Sequence, residues 1–307
     1  MKDGTNLIKV PNNLARESCI AGIIDKLDEG FKNKLKQDLI SPKPLLVCGG
    51  GTSSRCASNN HWTVDLRSNF DFINIDLNTS VAEVGGGLTM GKLINELSKN
   101  KKSFPIGLSG LTGIGYILTG GISPLSRSEG LAIDRIIEFQ GIWGNGEDFC
   151  ISKPNANTSY SEQLIWKALC GAAPFLGIVT KLKIRIEEEV PLIIWKANLT
   201  SNELASAIKI SESWSNYSSL QWTWSNSINA YAVFKKNQEE SAIDLKRLKD
   251  LFTCCENESL YQVPGLSKLP LFNSSTNTGN FSEVIGLLSY SWGEDTEKII
   301  SEVKKLM

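Results

Sequence analysis

Glycine is unevenly distributed along this chain of 307 residues, and its distribution limits the folds that the chain can adopt. Most of the 26 glycines lie in the first 190 residues, where glycine-rich stretches separate segments with strand and helix patterns. Strands that alternate with helices across tight glycine turns are typical of α/β folds. The sequence therefore predicts an α/β region over residues 1–190.

The predicted elements of this region follow from apolar spacing and capping residues. Asn12 and Asn13 are expected to cap a helix that runs to about Leu39, because the apolar residues up to Phe31 lie near helical spacing. Asn145 between two glycines predicts a hairpin turn. The other predictions are strands at 44–48, 62–66, 72–75, 81–84, 136–141, 149–152 and 178–186, and helices at 90–99 and 161–169.

The composition changes after residues 187–191. Glycine becomes scarce, and four of the eight tryptophans lie between Trp195 and Trp224. The resulting βαββαβ order predicts an antiparallel sheet with helices on one face, packed as a second domain. Its predicted strands are 192–200, 220–224, 228–234 and 283–290, its helices are 202–214, 239–252 and one starting at 294, and a long loop follows 252.

Bulk composition excludes several classes of protein. The chain is 41% hydrophobic and 21% charged, which is ordinary for a globular protein. Its net charge of −1 gives no general attraction to nucleic acid or to an anionic membrane. It has no apolar stretch long enough to span a bilayer, and its N-terminus lacks the apolar core of a signal peptide. We therefore expect a cytoplasmic protein that binds neither nucleic acid nor membrane.

Cysteine and histidine give no metal-binding pattern. The seven cysteines and the single histidine, His61, fit no known ligand spacing, so no metal site is predicted. Without a secretory signal, the cysteines are expected to be reduced and to serve mainly in packing.

The strand at 44–48 leads directly into the run Gly49, Gly50, Gly51, Thr52, Ser53 and Ser54. Glycines let backbone amides approach a phosphate closely, and successive N–H groups can form an anion-binding nest. The hydroxyl groups would add further donors. An irregular turn, in which glycine only permits a positive φ, remains the alternative interpretation.

A second run, 86–92, nearly matches the phosphate loop GxxxxGK[ST] of nucleotide hydrolases. Leu93 stands where that motif requires a metal-binding hydroxyl, which argues against ATP or GTP hydrolysis. The dinucleotide fingerprint GxGxxG does not occur in the sequence.

The glycine stretches also occur in a recognisable order. They include PLLVCGGGTSS from residue 44, VGGGLTMGKL from 84, FPIG from 104, TGIGYILTGG from 112, GIWGNGE from 141 and LCGAAPFLGIVT from 169. This collinear series, over roughly residues 40–190, resembles the PCMH-type FAD-binding domain of vanillyl-alcohol-oxidase-type flavoproteins, in particular their berberine-bridge-like branch. The resemblance accounts for the 86–92 run without a triphosphate.

The resemblance implies an α+β protein of two domains. Residues 1–190, with a core at 40–190, would form an FAD-binding domain of two small α/β subdomains. Residues 191–307 would form a substrate-type α+β domain with an antiparallel sheet covered by helices. Family members usually continue to a terminal segment that returns to the FAD domain, so the second domain is expected to be incomplete at its C-terminus.

The resemblance also implies which residues bind FAD. Residues 49–54 would bind the pyrophosphate through backbone amides. A second group would pack against the flavin and ribityl side, and a third would contact the adenine end. The second group is Gly107, Leu108, Ser109, Thr112, Gly113, Gly115, Gly120 and Gly121, and the third is Gly177, Ile178 and Val179.

Departures from the family pattern bear on how FAD is attached. Thr52 stands where many berberine-bridge-like proteins bond the flavin to histidine, and Leu108 or Ser109 stands where they bond it to cysteine. We therefore expect noncovalent FAD. Cys170 replaces the family's usual arginine, which weakens the prediction for the adenine end.

The implied activity is that of an FAD-dependent oxidoreductase. It would take a hydride from a C–H next to oxygen or nitrogen of a small alcohol, sugar or amine, with oxygen as electron acceptor. The alternative is a catalytically idle flavin- or nucleotide-binding relative that lacks the C-terminal catalytic segment. No catalytic base and no oligomeric state follow from the sequence. Five aromatic residues are candidates for a substrate pocket, although core packing is the more typical role of each: Trp195, Trp222, Trp224, Tyr231 and Trp292.

Overall fold

The computed structural model describes residues 7–37, 44–107, 109–224, 227–252, 258–269 and 293–306. The helices are α1 (Asn13–Arg16), α2 (Glu29–Lys36), α3 (Met90–Ser98), α4 (Gly115–Leu118), α5 (Ser126–Glu129), α6 (Tyr160–Leu176), α7 (Ser201–Ser211), α8 (Glu239–Leu251) and α9 (Thr296–Leu306). The strands are β1 (Gly22–Ile24), β2 (Leu45–Cys48), β3 (Trp62–Asp65), β4 (Ile73–Asp76), β5 (Val81–Gly85), β6 (Lys102–Ser103), β7 (Ile136–Trp143), β8 (Asp148–Ser152), β9 (Gly177–Arg185), β10 (Glu187–Glu188), β11 (Leu192–Leu199), β12 (Ser218–Trp224), β13 (Ile228–Lys235) and β14 (Ser259–Val263).

The described residues fall into two compact units. The first unit takes its residues from Met1–Ser123 and Leu131–Glu188. The second contains Pro124–Gly130, Glu189–Leu269 and α9. None of the helices in the described ranges is long and apolar enough to cross a membrane.

The first unit contains a small parallel sheet with the strand order β1-β3-β2. Its strands pair in register, so that Cys48 at the end of β2 lies opposite Asp65 at the end of β3. Because the strands are parallel, their carboxyl ends share one edge of the sheet. The glycine run at 49–54 follows β2 and therefore begins at this edge.

A larger antiparallel sheet, in the order β4-β5-β9-β7-β8, completes the first unit together with the pair β10-β6. The predicted hairpin at Asn145 is confirmed, since β7 and β8 pair across it. Apolar residues of α2, of both sheets and of the segment after β3 form one core. They include Phe31, Val64, Leu66, Ile142 and Ile178.

The second unit is a four-stranded antiparallel sheet in the order β12-β13-β11-β14. Helices α7, α8 and α9 contribute to one core with the sheet face that carries Trp195, Ala197 and Phe234. The predicted α+β class is confirmed, and the first five elements of the predicted βαββαβ order are present as β11, α7, β12, β13 and α8. The strand predicted at 283–290 lies outside the described residues.

The single helix predicted from Asn13 to Leu39 is wrong. The chain instead forms α1, β1 and α2. Gly22 lies against the Trp62 ring so closely that a Cβ at this position would come within 3.0 Å of it, which fits a strand paired with β3. Asp28 then caps a new helix by accepting from Phe31 N. Long-range strand pairing overrode the local helical spacing.

Two further predictions need correction in detail. The loop predicted after Phe252 contains β14, which pairs with β11 and supplies the sixth element of the βαββαβ order. The helix predicted at 161–169 continues to Leu176, with a break at Cys170 and Gly171, where Gly171 has φ of 109°. Its capping box joins Ser159 and Glu162.

Candidate cofactor site

The loop 49–54 and the glycine-containing segment 110–114 meet at the carboxyl edge of the parallel sheet. Gly50 and Gly113 face each other so closely that a Cβ on either residue would lie less than 3.0 Å from the other's backbone. A Cβ on Gly50 would also lie 2.8 Å from the Leu111 carbonyl oxygen. Glycine is required here because only a backbone without a side chain permits this approach. Ligands of open sheets of parallel strands commonly bind beyond this edge.

The loop 49–54 offers hydrogen-bond donors that nothing in the described part of the chain accepts. The backbone N–H groups of Gly50, Gly51, Thr52 and Ser53 donate to none of the described residues. The Thr52 and Ser54 hydroxyls also have no described partner. Successive free amides on a glycine loop form a nest that suits phosphate oxygens. The loop therefore fits a pyrophosphate group.

The N-terminal segment holds this loop in place. Asn12 donates through its backbone N–H to the Gly51 carbonyl, at 3.1 Å, and through its side-chain amide to the Thr52 carbonyl, at 3.2 Å. Its side-chain oxygen meanwhile caps α1 by accepting from Ala15 N. Gly51 has φ of 74° and packs against Val10. The sequence indicated Asn12 only as a helix cap, because its long-range contacts leave no local pattern.

Replacing Asn12 with alanine is expected to weaken cofactor binding about fivefold, since one support of the loop disappears along with the cap of α1. The matched control is Asp28→Ala, which removes the cap of α2 but does not contact the loop. Either cap costs about 1 kcal/mol of folding stability. Cofactor titration of both variants separates the two effects. Equal affinities in the two variants would contradict a role for Asn12 in the loop.

The glycine run 85–91 has a structural role, because its backbone amides bond to neighbouring segments. Gly86 N donates to the Thr180 carbonyl and Gly87 N to the Phe70 carbonyl, so these amides are already used. Lys92 forms an ion pair with Asp71 at 2.8 Å. The run therefore lacks the free amides and the free lysine that a triphosphate loop needs. This geometry argues against nucleotide hydrolysis at 86–92.

Residues 88–91 instead pair with residues 110–114. Met90 N donates to Thr112 O at 2.7 Å, and Gly91 N donates to Gly110 O at 2.9 Å. Ile114 N returns a hydrogen bond to Leu88 O. The 110–114 segment thus contacts both the 85–91 run and the loop 49–54, and the predicted residues Thr112 and Gly113 lie beside that loop.

The other residues predicted for the flavin side have separate surroundings. Gly107 packs against the Tyr116 ring, and Ser109 accepts a hydrogen bond from Leu111 N. A Cβ on Gly115 would meet no atom within 4 Å. Gly120 and Gly121, with φ of 128° and 76°, form the turn after α4, and their carbonyls accept from Ile133 and Ala132. Leu108 lies outside the described residues.

The three residues predicted for the adenine end have different surroundings in the structure. The Val179 carbonyl lies against Gly86, which ties β9 to the glycine runs. Ile178 belongs to the apolar core of the first unit, and Gly177 pairs with Trp143 at the start of β9. Only Val179 is therefore connected to the site by a described contact.

A comparison with family models matches residues 41–149 to an FAD binding domain. The match covers β2, the loop 49–54 and the 85–91 and 110–114 segments. Residues 41–149 are therefore similar to an FAD binding domain.

Two curated proteins are similar to part of this chain. The chain is 31% identical over 153 residues to an FAD-dependent monooxygenase of Fusarium proliferatum, which covers 48% of this chain and 28% of the relative. It is 30% identical over 145 residues to berberine bridge enzyme-like 23 of Arabidopsis thaliana, covering 45% of this chain and 26% of the relative. The chain therefore matches little more than a quarter of the length of either relative.

Solved structures share the fold. A xylooligosaccharide oxidase from Myceliophthora thermophila C1 superposes with a TM-score of 0.67 at 18% identity, over 85% of this chain and 56% of the other. Berberine-bridge-like protein 1 of Physcomitrella patens gives a TM-score of 0.68 at 20% identity, over 83% of this chain and 56% of the other. The predicted relationship to berberine-bridge-like and vanillyl-alcohol-oxidase-type flavoproteins is confirmed.

A pair of buried thiols flanks the loop 49–54. Cys48 ends β2 and Cys56 lies in the short 3₁₀ turn Ser54–Cys56 that follows the loop. The neighbouring Cys56 thiol and burial together raise the pKa of Cys48. Both residues are at most 3% exposed, so they anchor the two ends of the loop by packing.

Arg67 and Asp65 form an ion pair beside these thiols. The Arg67 side chain donates to both Asp65 carboxylate oxygens, at 2.8 and 2.6 Å, and to the Lys9 carbonyl. The Asp65 carboxylate raises the pKa of Arg67. This bidentate pair fixes the end of β3 next to the loop 49–54, and no sequence motif indicated it.

His61 lies at the other edge of the parallel sheet. It comes directly before β3, and its backbone N–H donates to Ser58 O. Since β2 and β3 are parallel and the loop follows β2, strands of four residues separate His61 from the loop. At the usual strand rise this is about 13 Å. His61 is therefore far from the loop to which it is closest in sequence.

The aromatic residues of the second unit are mostly packing residues. Trp195 is fully buried in the helix-covered core, and Trp222 and Trp224 pack against that core. The interpretation of these three as core residues is confirmed. Tyr231 lies on the other face of the sheet, and Trp292 is outside the described residues. The described residues contain no cluster of His, Cys, Asp or Glu suited to a metal ion.

Proposed function

We propose that the chain binds FAD noncovalently, with the pyrophosphate on residues 49–54. The free amides of Gly50, Gly51, Thr52 and Ser53 carry this proposal, because they lack acceptors in the described chain and lie at the sheet edge where such ligands bind. Thr112 and Gly113 lie beside the loop and would position the cofactor's neighbouring part. The residues proposed to pack against the flavin and ribityl side are Gly107, Leu108, Ser109, Gly115, Gly120 and Gly121.

Noncovalent attachment is supported by the distribution of reactive side chains. The only histidine is at the opposite edge of the parallel sheet, and neither the loop 49–54 nor the stretch 107–121 contains a cysteine. The nearby thiols of Cys48 and Cys56 are buried and form no disulfide. Histidine and cysteine are the residues that the family resemblance implies for a covalent bond.

We further propose that the whole protein is an oxidoreductase. It removes a hydride from a C–H next to oxygen or nitrogen of a small alcohol, sugar or amine, and oxygen takes up the electrons. Two relatives support a sugar-like alcohol, since they are named as oxidases of xylooligosaccharides and chitooligosaccharides. When bound, FAD supplies the hydride acceptor. The chain's own residues hold the cofactor and exclude water around it.

The test is a visible absorbance spectrum of the purified protein, repeated on the supernatant after acid precipitation. We expect a flavin spectrum that moves wholly into the supernatant, and His61→Ala is expected to leave the flavin content unchanged. Yellow colour that stays in the wild-type pellet would contradict noncovalent attachment. A protein that binds no added FAD would overturn the cofactor assignment.

The redox proposal is tested anaerobically. Bleaching of the bound flavin by a member of an alcohol, sugar or amine panel, followed by recovery in air, is the expected result. A flavin that no substrate in the panel bleaches would favour the idle flavin-binding relative.

A further inference from the structure

One face of the second unit's sheet carries polar side chains that the cofactor site does not use. Along β11, Trp195 and Ala197 point into the helix-covered core. Side chains alternate along a strand, so Lys196 lies on the opposite face. Lys196 is the register partner of Tyr231 on β13, and Tyr261 lies diagonally from it on β14. These three residues, Lys196, Tyr231 and Tyr261, form what we call the lysine–tyrosine cluster.

The ammonium group of Lys196 lies over two aromatic rings. Its Nζ is 5.7 Å from the centroid of the Tyr231 ring and 6.0 Å from that of Tyr261. An ammonium at this distance is attracted by the negative face of a ring. The rings hold the charge in place but leave its three N–H donors unfilled. Within the described ranges, the Lys196 side chain makes no hydrogen bond and no ion pair.

Tyr231 adds a second unfilled donor. Its side chain is only 5% exposed, and its hydroxyl finds no hydrogen-bond partner among the described residues. Buried hydroxyls in native proteins are nearly always paired, so an unpaired one points to a missing acceptor. A ligand oxygen would complete both Tyr231 and Lys196.

The local charges indicate which acceptor fits. Burial lowers the pKa of Lys196, and no described carboxylate compensates this by pairing with it. Burial raises the pKa of Tyr231, with a smaller contribution from Tyr261, so the Tyr231 hydroxyl remains a protonated donor at neutral pH. Burial likewise raises the pKa of Tyr261. A cation and two phenol groups without a described counter-charge are complementary to an anion.

We propose that the lysine–tyrosine cluster binds the carboxylate of a small organic acid. The Lys196 ammonium forms an ion pair with the carboxylate, and the Tyr231 hydroxyl donates to it. If the bound acid is the substrate, the site limits the proposed oxidoreductase to substrates that carry an acidic group. Only this identification of the acid as the substrate rests on the proposed function.

The test uses benzoate as the probe and isothermal titration calorimetry of the purified chain as the readout. Benzamide, which has the same shape without the charge, is the neutral comparison. We expect benzoate to bind at least about tenfold more tightly than benzamide, because hydrogen bonds to charged groups are the stronger ones. Lys196→Met is expected to weaken benzoate binding at least about tenfold, and Tyr231→Phe about fivefold. Lys196→Arg is expected to retain part of the affinity.

Two matched controls lie in the same unit. Lys236→Met removes an exposed lysine next to the end of β13. Tyr217→Phe removes the hydroxyl of a tyrosine whose ring lies under the Lys235 ammonium group. Both are expected to bind benzoate like the wild type. Far-ultraviolet circular dichroism of each variant verifies folding. A folded Lys196→Met variant that binds benzoate as tightly as the wild type would overturn the proposal.

The remaining outcomes separate this inference from the proposed function. A flavin-containing protein that binds neither probe, or binds both equally, would overturn the carboxylate site and leave the FAD proposal standing. A chain that binds benzoate through Lys196 but takes up no FAD would support the site and overturn the FAD proposal.

Discussion

Gly50→Ala is expected to lower FAD affinity about ten- to a hundredfold. The new methyl group would come within 3.0 Å of the backbone of Gly113 and lie 2.8 Å from the Leu111 carbonyl oxygen. Neither obstacle is a flexible side chain, so the loop 49–54 has to move and its amides lose their common direction. Overpacking of this kind costs about 1–3 kcal/mol, and each 1.4 kcal/mol is about tenfold in affinity. Titration with FAD, followed by flavin fluorescence, measures the change.

Gly144→Ala is the matched control. This glycine lies in the β7–β8 hairpin of the same unit, and a Cβ on it would meet no atom within 4 Å. The variant should bind FAD like the wild type. If Gly50→Ala and Gly144→Ala had the same FAD affinity, the close approach of Gly50 to Gly113 would not determine how tightly the loop 49–54 binds FAD.

Trp195→Ala is expected to destabilise the second unit by about 3–5 kcal/mol, the usual cost of emptying a buried aromatic site. The side chain is fully buried, stacks at 5.6 Å on Phe252 and donates through Nε1 to Glu258 at 2.7 Å. Its loss removes a contact between β11 and the residue that follows α8, and leaves a cavity. Urea unfolding followed by circular dichroism measures the effect.

Trp222→Ala provides the comparison for this prediction. Trp222 packs against the same core from β12 but is only partly buried. Because the loss scales with the apolar area removed from water, its truncation should cost less than half as much. Equal costs for the two variants would show that burial in this core does not determine its stability.

The sequence predicted a glycine loop after a buried strand, because the determinants of such a loop are local. A buried strand followed by Gly49, Gly50 and Gly51 indicates a backbone nest whatever surrounds it. The first five elements of the second unit were also predictable, since most of them carry clear apolar periodicity. Even there, β14 escaped prediction, because its exposed polar residues show little alternation and its pairing with β11 decides its conformation.

Residues that act through distant contacts were not predictable. Asn12 supports carbonyls at positions 51 and 52, and Arg67 clamps Asp65 while reaching Lys9. The same limitation explains the false helix at 13–39, in which a short parallel strand interrupts helical spacing. Family order alone suggested a ligand contact for Ile178, and the structure places its side chain in the core of the first unit.

The short segment Pro124–Gly130 belongs to the second unit although it lies between two parts of the first in sequence. Arg127 donates to the Trp214 and Ser218 carbonyls, and Glu129 forms an ion pair with Lys235. The second unit is therefore assembled from separate stretches of chain. An exchange of this unit between relatives, made as a single cassette starting at residue 189, would leave the guanidinium of one parent facing the carbonyls of the other. A functional chimera has to carry both stretches together.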